Sequence, residues 1–295
     1  MLQRTLKKSI EIVGIGLHKG VPVQMKLEPL EEDSGIVFYR SDLNISVPLS
    51  TSNVTSTQNA TTISKDEATI HTIEHFLSAI YAYGIDNLKI SVNNEEMPIL
   101  DGSSIGFCLL LDEVGVVEQS RQKEIVVLKE DVIIKDERKY VHLSPSKTPI
   151  FEFEIEFPHP IIKNQKHRFE FSSKEYKKEI ARARTFGFLK EVQYLRSIGL
   201  ALGGSLDNAI VLDDKKVLNP EGLRFKNEFV RHKILDAIGD LSLIGKPICA
   251  KYSSFAGSHK LNYQLVCKLL ESPEAYEVVR ASELKEEFVR SYAKI

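Results

Sequence analysis

The chain has 295 residues, of which 42% are hydrophobic and 27% charged, with a formal net charge of −2. That is ordinary globular composition, long enough for one large or two ordinary domains, and it leaves no basic footprint for nucleic acid. Three cysteines (Cys108, Cys249, Cys267) are widely spaced in apolar surroundings, which argues for free thiols in a reducing compartment and against a disulfide frame or a Cys-rich metal site.

The N-terminal segment carries early positive charge, but Glu11 interrupts its apolar run and no small-residue cleavage site follows. No signal peptide is expected. No window approaches the ~20 apolar residues that span a bilayer. A soluble, cytoplasmic protein without stable membrane insertion is expected.

In chain order, Ile10–Gly16, Val21–Leu27 and Gly35–Tyr39 read as strands separated by turn residues. The capping-box pattern Ser64-x-x-Glu67 predicts a helix ending at Gly84, with Ile70, Ile73, Leu77 and Ile80 on its apolar face. A strand over Leu88–Val92, a turn-rich stretch and a helix from Ile105 to Val114 follow. Residues 118–124 are polar and read as a linker. The pattern then begins again. Strands are expected over 125–128, 132–135, 141–143 and 151–157, and a short helix over 173–182. A glycine-containing stretch 189–214 includes the strand 209–212. A helix over 227–243, a strand over 248–252 and a helix over 260–270 follow. The charged tail after Ser272 reads as a loosely packed helix. The repeated order of sheet, helix, strand and helix predicts two α+β domains of one architecture, residues 1–117 and 125–272, with 273–295 as a tail.

Chemistry concentrates on the later helix. Val230, Ile234, Leu235, Ile238 and Leu241 recur at helical spacing. His232, Asp236 and Asp240 stack one turn apart on the other face, where an imidazole and a carboxylate at i, i+4 reach one metal ion. The bland alternative is an exposed helix pair worth about 0.5 kcal/mol. On the first helix His71, Glu74, His75 and Ser78 form a polar stripe. His71-Thr-Ile-Glu-His75 matches the inverted zinc-peptidase pattern, with two histidine ligands and a glutamate base. The competing reading joins His75 to His232 and Asp236 as the three protein ligands of a catalytic zinc, which keeps a position open. His259 sits in a glycine-containing turn just before a helix. Its spacing alone does not separate a catalytic role from a surface histidine.

Seven segments in order complete the picture: GIGLHKG (14–20), TIEHFLSA (72–79), MPILDGSS (97–104), ARTFGF (183–188), GGSLDNAIVL (203–212), NPEGLRFKNEFVRHKILDAIGDL (219–241) and GSHKLN (257–262). Together they resemble the UDP-3-O-acyl-N-acetylglucosamine deacetylase family of lipid A biosynthesis, up to about residue 272. The resemblance implies a fold of two similar domains. Each is a two-layer α/β sandwich with a mostly antiparallel sheet and a small insert. It implies zinc held by His75, His232 and Asp236, with Fe²⁺ able to use the same ligands. Glu74 is then the general base, and His259 the catalytic histidine oriented by Asp240. Thr185 lies at the reacting carbonyl, and His71 has no ligand role. Substrate contacts fall on Lys233, Phe186, Phe157 and Gly204. An insert near 187–212 forms an apolar passage for the acyl chain, although on residues alone Phe186, Phe188, Leu200 and Leu202 read as ordinary core. His18 is expected to make a structural hydrogen bond. The implied partner is the small-molecule UDP-acyl-sugar, and a monomer is expected. A non-catalytic nucleotide-sugar or lipid binder, and a deacetylase of another N-acetyl sugar, remain open alternatives.

Overall fold

The computed structural model describes residues 1–284 and 286–292. Its first part contains strands β1 (Leu2–Leu6), β2 (Ile10–Ile15), β3 (Pro22–Pro29), β4 (Ile36–Arg40), β5 (Ile45–Pro48), β6 (Val54–Ser56), β7 (Thr62–Lys65) and β8 (Ala68–Ile70). Helix α1 (Glu74–Tyr83), strand β9 (Leu88–Val92) and helix α2 (Ile105–Val114) follow. Strands β10 (Val116–Gln122), β11 (Glu124–Leu128), β12 (Val132–Asp136), β13 (Lys139–Pro145), β14 (Ile150–Glu156) and β15 (Asn164–Glu170) lead to α3 (Ser173–Glu179). Then come β16 (Phe186–Phe188), α4 (Leu189–Ser197), β17 (Ile210–Leu212), α5 (Glu228–Leu241), β18 (Ile248–Phe255), α6 (His259–Leu270), β19 (Tyr276–Arg280) and α7 (Glu286–Ser291).

The fold is α+β, with antiparallel pairing dominant. One sheet runs β2-β3-β9-β4-β5, parallel only between β4 and β9. On β3, Val23, Met25 and Leu27 alternate inward at the strand period of two. The larger sheet runs β12-β13-β18-β11-β19, with β14 paired to β18 and β15 to β14. Helix α1 packs along α5, and α5 also meets β14, β15 and α6. The two helices that carry the chemistry are thereby pressed together. Gly239 permits this approach, because a Cβ there would collide with the carbonyl of Glu74.

The structure corrects several expectations. The segment read as the start of the first helix is the hairpin β7–β8. Ile70, assigned to a helical face, is paired with Ile63 across that hairpin, and Asp66 makes the turn at φ +52. Residues 118–122 are strand rather than linker: β10 pairs with β1 and buries none of its own residues, so no apolar face marks it in the sequence. Strand β15 is exposed on alternate residues and was equally silent. The tail adds β19, antiparallel to β11, and buries Phe288 and Tyr292, which is not loose packing; residues 285 and 293–295 lie outside the described structure. Leu202 is 52% exposed and is not core. Cys108 and Cys249 are buried free thiols, and Cys267 is half-buried. Among the described residues no helix is long and apolar enough to cross a membrane.

Candidate metal and catalytic centre

Glu74 and His75 are the first two residues of α1, and both are buried. One helix away, His232, Asp236 and Asp240 project from α5, also buried. The seam between the helices therefore holds all five groups.

His75, His232 and Asp236 each offer one ligand atom, and these atoms lie within 4.8 Å of one another. His232 Nε2 is 3.2 Å and His75 Nε2 3.6 Å from the same oxygen, Asp236 Oδ1. The two rings meet edge to face at 4.9 Å. The Nδ1 of His232 is 3.1 Å from the carbonyl of Ala183, a contact in which only the ring nitrogen can donate. Burial pushes the His232 ring down to about 3, so it is neutral and its Nε2 is a bare lone pair. That lone pair faces a carboxylate oxygen with no hydrogen-bond partner. Buried acceptors that face one another without a proton are costly unless a cation sits among them. The donor set therefore fits a metal ion, with the ring held by an outer partner as in established metal sites. Lys233 Nζ reaches the other oxygen, Asp236 Oδ2, at 2.9 Å and lies 5.7 Å from the Phe186 ring centre.

Beside this group lies a second array. Glu74 Oε1 is 3.8 Å from His259 Nε2, and His259 Nδ1 is 2.8 Å from Asp240 Oδ2. His259 opens α6, whose N-cap is Ser258. A helix N-terminus disfavours a charged ring, and so does burial. Burial is the larger opposition, and only the carboxylates of Asp240 and Glu74 together with the Asp240 hydrogen bond overcome it and raise His259 to about 10. The imidazole is thus an imidazolium at neutral pH. Burial also lifts the Glu74 carboxyl above its usual range, toward the values that suit a base. Asp240→Asn removes the main source of the His259 shift. The alkaline limb of its pH–rate profile is expected to move to lower pH, while an unmoved limb would detach Asp240 from the histidine.

Thr185 N–H donates to the Gly102 carbonyl at 2.8 Å. Thr185, Phe186 and Gly204 line a largely apolar cavity of about 460 Å³ with Leu189, Val192 and Leu206. Phe186 packs on Phe229 and Phe157, with ring centres at 5.0 and 6.0 Å. The segment before Thr185 is anchored by Arg184, whose Nε is 2.9 Å from Glu228 Oε1, both side chains being nearly inaccessible. Arg184→Met leaves that carboxylate buried and uncompensated. A loss of about 3–5 kcal/mol in unfolding free energy is expected from denaturant titration.

One expectation fails here, and one is met in another form. His71 is not on α1 but on a bridge to Glu96, and its Nδ1 lies 2.9 Å from the Thr62 hydroxyl, outside the metal group. His18 does make the expected structural bond, but through its backbone N–H to Glu96, while its Nδ1 has no partner. Three participants gave no signal in the sequence. Thr61 and Asn262 donate to Asp240 at 2.6 and 2.8 Å, and Tyr252 donates to Asn262 at 2.7 Å. A lone Thr, Asn or Tyr carries no spacing pattern, so only the folded array reveals them.

The family model described as LpxC, UDP-3-O-acyl N-acetylglycosamine deacetylase, matches residues 3–271. The chain belongs to this family. A deacetylase family member is a hydrolase, and the buried acid–base array beside a candidate metal group is in keeping with that. Curated relatives of this chain named UDP-3-O-acyl-N-acetylglucosamine deacetylase include a protein of Wolinella succinogenes, 62% identical over 95% of this chain and 94% of its own length. One from Helicobacter hepaticus is 59% identical over 99% of this chain and 98% of its own. One from Helicobacter pylori is 56% identical over 98% of each.

Proposed function

We propose that this chain hydrolyses the acetamide of UDP-3-O-acyl-N-acetylglucosamine to acetate and the free amine, the committed step of lipid A biosynthesis. The carrying observation is the Glu74–His259–Asp240 array set directly against the His75, His232 and Asp236 group. We assign the ion as zinc, and Fe²⁺ suits the same donors. When bound, the ion supplies Lewis acidity, which acidifies water and polarises a carbonyl.

The chain's own groups supply the rest. Glu74 Oε1 takes the proton of the attacking water. The acetamide oxygen gains negative charge as attack proceeds, and the His259 imidazolium and the Thr185 hydroxyl donate to it. The amine then leaves with a proton from His259 or from protonated Glu74. Asp240 keeps the imidazole charged and aimed. Lys233 offers a point charge for a phosphate, while Phe157 and Phe186 form an aromatic wall for the nucleotide side. The cavity lined by Gly204, Val192 and Leu206 takes the acyl chain. We further propose a monomeric cytoplasmic enzyme built of the units 1–117 and 125–272.

The test is acetate release from the UDP-acyl-sugar together with metal analysis. Stripping the protein with a chelator is expected to abolish release, and zinc to restore it. It is also expected to lower the melting temperature, because an ion that binds only the folded state stabilises that state. A chain that stays active without metal, or is metal-loaded yet releases no acetate, refutes the proposal. Ala at His71 separates the peptidase reading, which requires metal loss, from this one, which requires retention.

A further inference from the structure

Thr61 immediately precedes β7 and is 1% exposed. Its N–H and hydroxyl are both spent on the Glu74–His259–Asp240 array, and its carbonyl on the start of α1. The backbone N–H donates to Glu74 Oε2 at 3.0 Å. The hydroxyl donates to Asp240 Oδ1 at 2.6 Å. The carbonyl accepts from the N–H of Ile73 at 3.4 Å, and Ile73 is the N-cap of α1. One residue therefore holds both carboxylates between which the His259 ring is clamped.

From this juxtaposition we infer that Thr61 is a positioning residue for the deacetylation, which fixes the plane of the Asp240 carboxylate and through it the aim of His259. The inference rests on the proposed function. Asp240 Oδ2 already receives His259 and Asn262, which both pull on a single oxygen. Among the described residues Thr61 provides the hydrogen bond to Oδ1. Rotation of a carboxylate about its last torsion is soft, so two donors on one oxygen do not set its plane. A third donor on the other oxygen does. If the plane turns, the Nδ1 contact of His259 shifts, and its Nε2 moves relative to Glu74 and the reacting carbonyl. Such misplacement is costly to rate even when binding is intact.

Thr61→Val keeps the side-chain volume and the backbone bonds to Glu74 and Ile73 but deletes the hydroxyl. Its kcat in the acetate-release assay is expected to fall by about 10²-fold, with KM and metal content unchanged. Thr61→Ser restores the donor and is expected to stay within about 3-fold of the parent, since hydroxyl geometry is recovered. The decisive comparison places Thr61→Val in a His259→Ala background. If Thr61 acts through His259, the second change has little further effect, because the two residues serve one function. Undiminished kcat in Thr61→Val, equal damage in Thr61→Ser, or a full second loss in the His259→Ala background would each overturn the inference and leave the functional reading standing. Full turnover in His259→Ala alone would instead overturn the functional reading, and this inference with it.

Discussion

Glu74→Gln lowers turnover by about 10²–10⁴-fold, the span typical of a lost general base, and leaves the metal content of the protein unchanged. The first half follows from chemistry. Glutamine keeps the shape and an acceptor oxygen for the Thr61 N–H, but it cannot take a proton. The second half follows from geometry. Glu74 sits on the His259 side of the seam, 3.8 Å from that ring, and does not belong to the group formed by His75, His232 and Asp236. Stopped-flow or endpoint acetate assays read the first half, and elemental analysis of the purified variant reads the second. Loss of metal in parallel with turnover would make Glu74 a ligand and break the assignment of roles.

His259→Ala is the second large effect. In the proposed mechanism the cationic ring donates to the developing oxyanion, and removal of one such donor is expected to cost about 10²–10³-fold in kcat. Metal should again be retained, because His259 is not one of the three converging residues. A stability change is expected as well. Asp240 loses its charged partner while remaining buried with Thr61 and Asn262, and a buried group stripped of a partner is left under-satisfied. Unchanged turnover would remove His259 from the chemistry. A large loss accompanied by metal loss would mean that the variant has failed to fold, which a near-ultraviolet spectrum would reveal.

Much of this site was legible before any coordinates. The i, i+4 relation of His232 and Asp236 survives as a contact because helix geometry is local. Four strands of the five-stranded sheet, β2, β3, β4 and β9, followed from alternation and turn residues, whereas β5 did not. What stayed hidden has physical causes. Ile63 and Ile70 face each other across a two-residue turn, and apolar residues seven apart fit a helical stripe equally well. In the β1–β10 ribbon, β10 has no buried residue, and β1 buries Arg4 and Thr5 beside Leu6, so hydrophobic patterning has little to report. The clasp between the insert and the first hairpin was also invisible. Leu202 and Gly203 donate their N–H groups to the carbonyls of His18 and Leu17, and Gly203 lies so close to Gly16 that a Cβ would collide with its carbonyl. Backbone contacts of that kind leave no trace in side-chain chemistry beyond the glycine itself.

The candidate ligand set draws one imidazole from α1 and its other two members from α5, which comes far later in the chain. During synthesis a ribosome that has released only the N-terminal sheet exposes a single coordinating ring, which grips no ion. Productive loading must wait until α5 has emerged and docked. Such late, long-range closure is the slow kind of folding event. On the proposed assignment, a chain folded without the ion already holds its three donors together, and resupply of the ion is expected to activate it without new translation.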